Sequence, residues 1–114
     1  MKKFLYLFRG GDARNVNQSP AEMEAHMDRW KSWMGQLAGQ GKLVDGLPLS
    51  GEGMTVEGTN KVVSNGPFAE GSEIVGGYLM VNAADISEAV ELSKGCPILE
   101  FKDGNIEVRE ILSM

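Results

Sequence analysis

Residues 3–8 read KFLYLF, and the reading of these six positions decides the fold. A strand sends successive side chains to opposite faces, so Phe4, Tyr6 and Phe8 point one way and Leu5 and Leu7 the other. Both faces are therefore apolar. Residues 74–81, IVGGYLMV, repeat this pattern, and Gly76 and Gly77 permit a bulge or a close backbone approach. An antiparallel sheet with one wet face would alternate apolar and polar residues. These strands do not, so their sheet needs an apolar cover on each side.

Two helices supply one cover. The stretch SPAEMEAHMDRWKSWMGQLAGQGK, 19–42, opens with Ser19 as N-cap, Pro20 at the first helical position and Glu22 three residues after the cap. Met23, Trp30, Trp33 and Leu37 fall on one stripe at about 3.6-residue spacing. Gly39 and Gly41 end the helix. A second helix lies in DISEAVELSKGCP, 85–97, with Asp85 as cap, Glu88 completing a capping box, Gly95 as stop and Pro97 forbidding continuation. Its inner face is read as Ile86, Ala89, Val90 and Ser93.

The remaining segments read as strands. KLVDGLPL, 42–49, is one. MTVEGTNKVV, 54–63, is a small hairpin turning near Gly58 and Asn60. ILEFKDGNIEVREIL, 98–112, holds two short strands joined by Asp103-Gly104, a strong two-residue turn signal. The order is β, α, β, hairpin, β, α, β. Without the hairpin this is βαββαβ, the ferredoxin-like α+β arrangement, with both helices on one face of an antiparallel sheet. No element is left for the other face. The same face of a second copy is the cheapest cover, which predicts a homodimer forming a dimeric α+β barrel.

Composition narrows the function classes. The 114 residues, 42% hydrophobic and 24% charged, suit a single domain over 1–114 with a thin core. No run approaches the ~20 apolar residues that cross a bilayer. MKKFLYLFRGGDAR, 1–14, lacks the longer apolar run and small-residue cleavage site of a leader, so the chain is read as cytoplasmic, with no membrane partner. A net charge of −5 without a basic stripe argues against direct nucleic-acid binding. Cys96 is the single cysteine and His26 the single histidine, which excludes an internal disulfide and the familiar zinc sites. No metal or cofactor is expected.

The connection 62–81, VVSNGPFAEGSEIVGGYLMV, carries Asn65-Gly66-Pro67-Phe68-Ala69-Glu70, then Glu73 and GGYLMV. With HMDRWKSWMGQLAGQGKLVDGLPL, 26–49, and KGCPILEFKDGNIEVREI, 94–111, it resembles the YCII-related family, and within it the branch marked by an Asp-Gly-Pro-Phe motif. The resemblance runs from KKFLYLF to EVREIL. Asn65 stands where the motif has Asp; it serves as well in starting a turn, but not as an acid or base. The resemblance implies the dimeric barrel. It also implies a small-molecule ligand, since relatives in the wider superfamily act on small aromatic or lactone-like molecules. Members of the YCII group have been proposed to use a His–Asp pair in a cleft. Asp-Gly-Pro-Phe members are often encoded beside extracytoplasmic-function sigma factors, which implies a regulatory link.

Four residues are candidates for chemistry. His26 lies within the apolar stripe of the first helix, where an imidazole either shuttles protons near neutral pH or sits in a core or interface, satisfied by a carbonyl. Glu22, Glu70 and Asp45 are its candidate carboxylate partners, and none forms a readable triad. Trp30 either wall a pocket with Trp33 or packs in the core. Pro67 stiffens the turn and delivers Phe68 inward, as a packing plug or a stacking surface. Glu70 is either a solvated carboxylate or an acid–base group at the pocket lip. Three functions follow: a cofactor-independent enzyme with His26 and Glu70 catalytic and Trp30 and Phe68 binding the ligand, a non-catalytic ligand-binding or regulatory module, or a purely structural partner protein. Cys96, at a helix C-terminus, reads as a small buried residue rather than a nucleophile.

Overall fold

A computed structural model describes residues 1–11, 19–67 and 73–114. The elements follow the order β1 (Lys2–Arg9), α1 (Pro20–Gly39), β2 (Leu43–Pro48), β3 (Met54–Glu57), β4 (Val62–Asn65), β5 (Val75–Ala83), α2 (Ile86–Ser93), a 3-10 helix (Pro97–Glu100) and β6 (Asn105–Glu110). Strands β2, β5, β1 and β6 form one antiparallel sheet in that order. This is the ferredoxin-like α+β topology, with β3 and β4 inserted as a separate two-stranded sheet.

The helix boundaries follow from their caps. Ser19 Oγ accepts from the Glu22 backbone N–H at 3.1 Å, and Pro20 takes the position where a missing N–H leaves nothing unsatisfied. At α2, Asp85 Oδ1 accepts from the Glu88 N–H at 2.9 Å, while Glu88 Oε1 accepts from the Ala84 N–H at 3.0 Å. The reciprocal pair satisfies two donors at the helix start.

The core lies between the helices and one face of the sheet. Phe4, Tyr6 and Phe8 of β1 and Leu79, Val81 and Ala83 of β5 are buried there with Trp33, Leu37, Ala89, Cys96 and Ile98. Tyr6 stacks on Trp33 with ring centroids 6.2 Å apart, and its hydroxyl donates to the Ala89 carbonyl, tying β1 to α2. Trp33 Nε1–H donates to the Leu92 carbonyl at 3.0 Å. Burying an aromatic this polar requires such partners, and both rings have one.

The opposite face carries Leu5 and Leu7 of β1, Tyr78 and Met80 of β5, and Leu47 of β2, placed side by side by the register Leu5↔Met80, Leu7↔Tyr78 and Leu47↔Tyr78. Leu5, Leu7, Tyr78 and Met80 are half-buried among themselves, and Leu47 is exposed. Charged residues edge the patch: Arg9 Nη1 meets Glu107 Oε1 at 2.7 Å, and Arg109 stands opposite Leu5. No described element covers this face.

The structure departs from the sequence reading in three places. Residues 97–100 form a 3-10 helix, not a strand, so Asp103-Gly104 link that helix to β6 instead of turning a hairpin. Pro97 fixes the first residue of that turn, and its backbone bonds close locally, Leu99 N–H to the Cys96 carbonyl and Phe101 N–H to the Ile98 carbonyl. On α2 only Ala89 and Ser93 are buried, while Ile86 and Val90 are exposed. On α1 the stripe begins at His26, and Met23 is exposed.

Candidate functional site

His26 is 7% exposed, in the second turn of α1, on the side that meets the 3-10 helix. Trp30 on its own helix and Glu100 and Phe101 beyond α2 define its surroundings. Trp30, one turn on, donates its indole N–H to His26 Nε2 at 2.9 Å. Glu100, at the end of the 3-10 helix, places Oε1 at 3.3 Å from His26 Nδ1. Because Nε2 accepts a proton donor, the neutral ring carries its hydrogen on Nδ1 and gives it to Glu100. The carboxylate thus fixes both the tautomer and the ring plane.

Arg29 completes the arrangement. Its Nε donates to Glu100 Oε2 and its Nη2 to Glu100 Oε1, both at 2.7 Å. This is the two-pronged guanidinium–carboxylate geometry that fixes orientation as well as charge. Phe101 packs its ring against the imidazole at a centroid distance of 5.0 Å, and Phe8 meets Trp30 edge-on at 5.2 Å. The site is therefore an imidazole between a clamped carboxylate and an indole, walled by aromatic rings.

The Arg29 hydrogen bonds hold the Glu100 carboxyl below its ordinary value of 4.5, partial burial opposes them, and the His26 hydrogen bond adds to them. A depressed carboxylate contributes stability above the unfolded value and loses it as the pH falls through the folded one. Glu100 is largely exposed, so the effect is modest. Arg29→Ala is therefore expected to flatten the decline in urea midpoint between about pH 5 and about pH 3 relative to the unsubstituted protein. Equal slopes in the two proteins would remove the clamp from the account.

Trp30, expected as pocket lining, stands beside His26 as a direct hydrogen-bond partner. Phe68 and Glu70 lie outside the described residues. Before them, Gly66 adopts φ +95°, the conformation that the turn at Asn65-Gly66-Pro67 requires, and its N–H donates to the Gly53 carbonyl at 2.7 Å. Asp45 Oδ1 accepts from the Gly46 N–H, and Glu22 belongs to the α1 cap. Neither is bonded to His26. Burial pushes the Cys96 thiol up to about 12, which keeps it a protonated core residue. A shallow depression on the β3–β4 turn, lined by Glu57, Gly58, Thr59, Asn60, Val62 and Ser64, contains none of these groups.

Glu100 and Arg29 were missed in the sequence. Glu100 is 74 residues from His26, inside a segment that read as a strand. Arg29 is three residues on from His26, a spacing that places both on neighbouring positions of one helix face, and this was the available signal.

The model of the YCII-related domain matches residues 5–114, nearly the full length. The chain belongs to the YCII-related family. Among curated proteins none matches. As a YCII-related domain it has the α+β architecture described above, and no helix among the described residues is long and apolar enough to cross a membrane. The His26–Glu100 pair supplies this domain with one imidazole–carboxylate couple, formed by α1 and the 3-10 helix.

Proposed function

We propose that this YCII-related protein is a homodimeric α+β barrel that transfers protons on a small organic molecule without a cofactor, with His26 as the acid–base group. The observation that carries this reading is the Glu100 carboxylate at His26 Nδ1. A carboxylate there holds the proton on Nδ1, leaves Nε2 as the basic atom, and stabilises the imidazolium formed when Nε2 takes a proton. Arg29 keeps Glu100 ionised and aimed. Trp30 occupies Nε2 at rest, so substrate must displace the indole N–H before the imidazole can act. Glu70 and Phe68 enter the reading from the sequence motif alone, as a second acid–base group and a stacking surface.

A second reading has its own observation. Both ring nitrogens of His26 are satisfied within the subunit, by Glu100 and Trp30, and the ring is nearly buried. That is the geometry of a structural clip in a non-catalytic ligand-binding or regulatory module, the setting in which the sigma-factor link belongs.

Small aromatic and unsaturated lactones, screened by NMR for turnover and for solvent-deuterium incorporation, separate the two. Proton transfer by His26 predicts turnover that falls about 10²–10⁴-fold in His26→Gln. Glu100→Gln lowers it as well, while Trp30→Phe, which frees Nε2, preserves or raises it. Turnover that survives His26→Gln unchanged overturns the first reading. Ligand-induced shifts at α1 with no turnover by the unsubstituted protein establish the second.

A further inference from the structure

Strands β3 and β4 form an arm that leaves the sheet between β2 and β5. Its base is stapled by Gly66 N–H to the Gly53 carbonyl at 2.7 Å and by Thr55 Oγ1–H to the Gly66 carbonyl at 2.9 Å. Beyond the base it packs on neither the main sheet nor the helices to any substantial extent. The radius of gyration is accordingly 15.6 Å, against about 13 Å for a compact chain of this length.

The arm is apolar where it should be wet. The register Met54↔Asn65 and Val56↔Val63 puts Met54, Val56 and Val63 on one face, with Val62 beside Glu57 on the other. Met54, Val56, Val62 and Val63 are 66%, 63%, 60% and 56% exposed. A lone two-stranded hairpin is marginal in water, and one with four bare apolar side chains needs a surface to lie on.

We propose that this arm clasps a second copy of the chain, its Met54–Val56–Val63 face lying on the partner. The inference rests on the homodimer reading and extends it. Two observations choose a second copy over an unrelated protein. The arm springs from the end of the sheet where Leu47 and Tyr78 bring the open apolar face to its edge, so the two surfaces are continuous along the chain. The open face is also small. Four strands about 4.8 Å apart and roughly six residues long outline about 400 Å². A stable interface removes about 800 Å² from each partner. An arm given and an arm received by each copy supply the missing area, and a two-fold axis makes both contacts identical.

Sedimentation equilibrium on the full chain tests the clasp with two variants. Met54→Ser/Val56→Ser/Val63→Ser alters only exposed arm residues, so the subunit keeps its far-UV circular dichroism. Its dimer dissociation constant is expected to rise by about tenfold or more, 1.4 kcal/mol per decade. In the unsubstituted protein, amide exchange over residues 54–65 slows as concentration passes through that constant. An unchanged constant, or arm exchange independent of concentration, overturns the clasp. Leu5→Lys then tells the two failures apart: if it alone gives monomers, the sheet-face dimer stands without the arm. An unsubstituted protein that stays monomeric overturns both.

Discussion

Leu5→Lys is expected to abolish the proposed homodimer while leaving the subunit folded. Leu5 lies at the centre of the open sheet face, opposite Met80 on one side and Arg109 on the other. It is half-buried in the isolated subunit, so a lysine there can run its methylenes along Met80 and lift its ammonium into water. In a dimer the same ammonium has no route to water. Each copy loses the burial of a leucine, about 1.5–3 kcal/mol. Each also brings a desolvated charge costing several kcal/mol, beside the positive Arg109. A combined loss of about 4 kcal/mol or more raises the dissociation constant about a thousandfold. Sedimentation equilibrium reads the mass and circular dichroism the fold. A folded variant with the dimer constant of the unsubstituted protein would show that the partner does not sit on this face.

Gly104→Ala is expected to cost about 3 kcal/mol or more, because an overpacked backbone contact cannot relax cheaply. A Cβ at Gly104 would stand 2.0 Å from the Ile98 carbonyl oxygen. The same wedge closes from the other side, where a Cβ at Gly10 would stand 2.1 Å from the Asp103 carbonyl oxygen, at φ +72°. Gly11 N–H donates to Asp103 Oδ1 at 3.0 Å, so the loop 101–104 is held between the end of β1 and the 3-10 helix. Pushing that loop outward moves Glu100, and with it the partner of His26. A fall in melting temperature of roughly 10 °C or more is expected by calorimetry, with loss of the His26–Glu100 hydrogen bond by NMR. Gly76→Ala is the control: its nearest neighbour would be Phe8 O at 3.9 Å, and its melting should change little. Equal melting of the two variants would show that the loop is loose.

Local signals in the sequence carried most of the fold. Ser19-Pro20 and Asp85 set the helix starts, and alternation in KFLYLF and IVGGYLMV set the two central strands, because caps and two-residue periodicity depend on neighbours alone. The failures lie where tertiary contacts decide. Asp103-Gly104 is a good hairpin turn in isolation, but Pro97 and the close approach of Gly104 to Ile98 wind the preceding residues into a 3-10 helix. Of the four residues with the right spacing for the inner face of α2, Ala89 and Ser93 are buried while Ile86 and Val90 stay exposed. The site was half legible. His26 and Trp30 stand one helical turn apart, a spacing visible in the sequence, and they are bonded. The carboxylate was not legible, since nothing local links Glu100 to a histidine on α1. Arg29, whose two short bonds aim that carboxylate, is explained only by the assembled structure.

The His26–Trp30 contact closes within a single turn of helix, whereas the His26–Glu100 contact spans 74 residues. Strand β6, which completes the sheet beside β1, comes later still. During synthesis the imidazole and indole can therefore meet as soon as α1 winds, long before the carboxylate has left the ribosome. The histidine's indole partner is thus made four residues after it, and its acidic neighbour can join it only 74 residues after it.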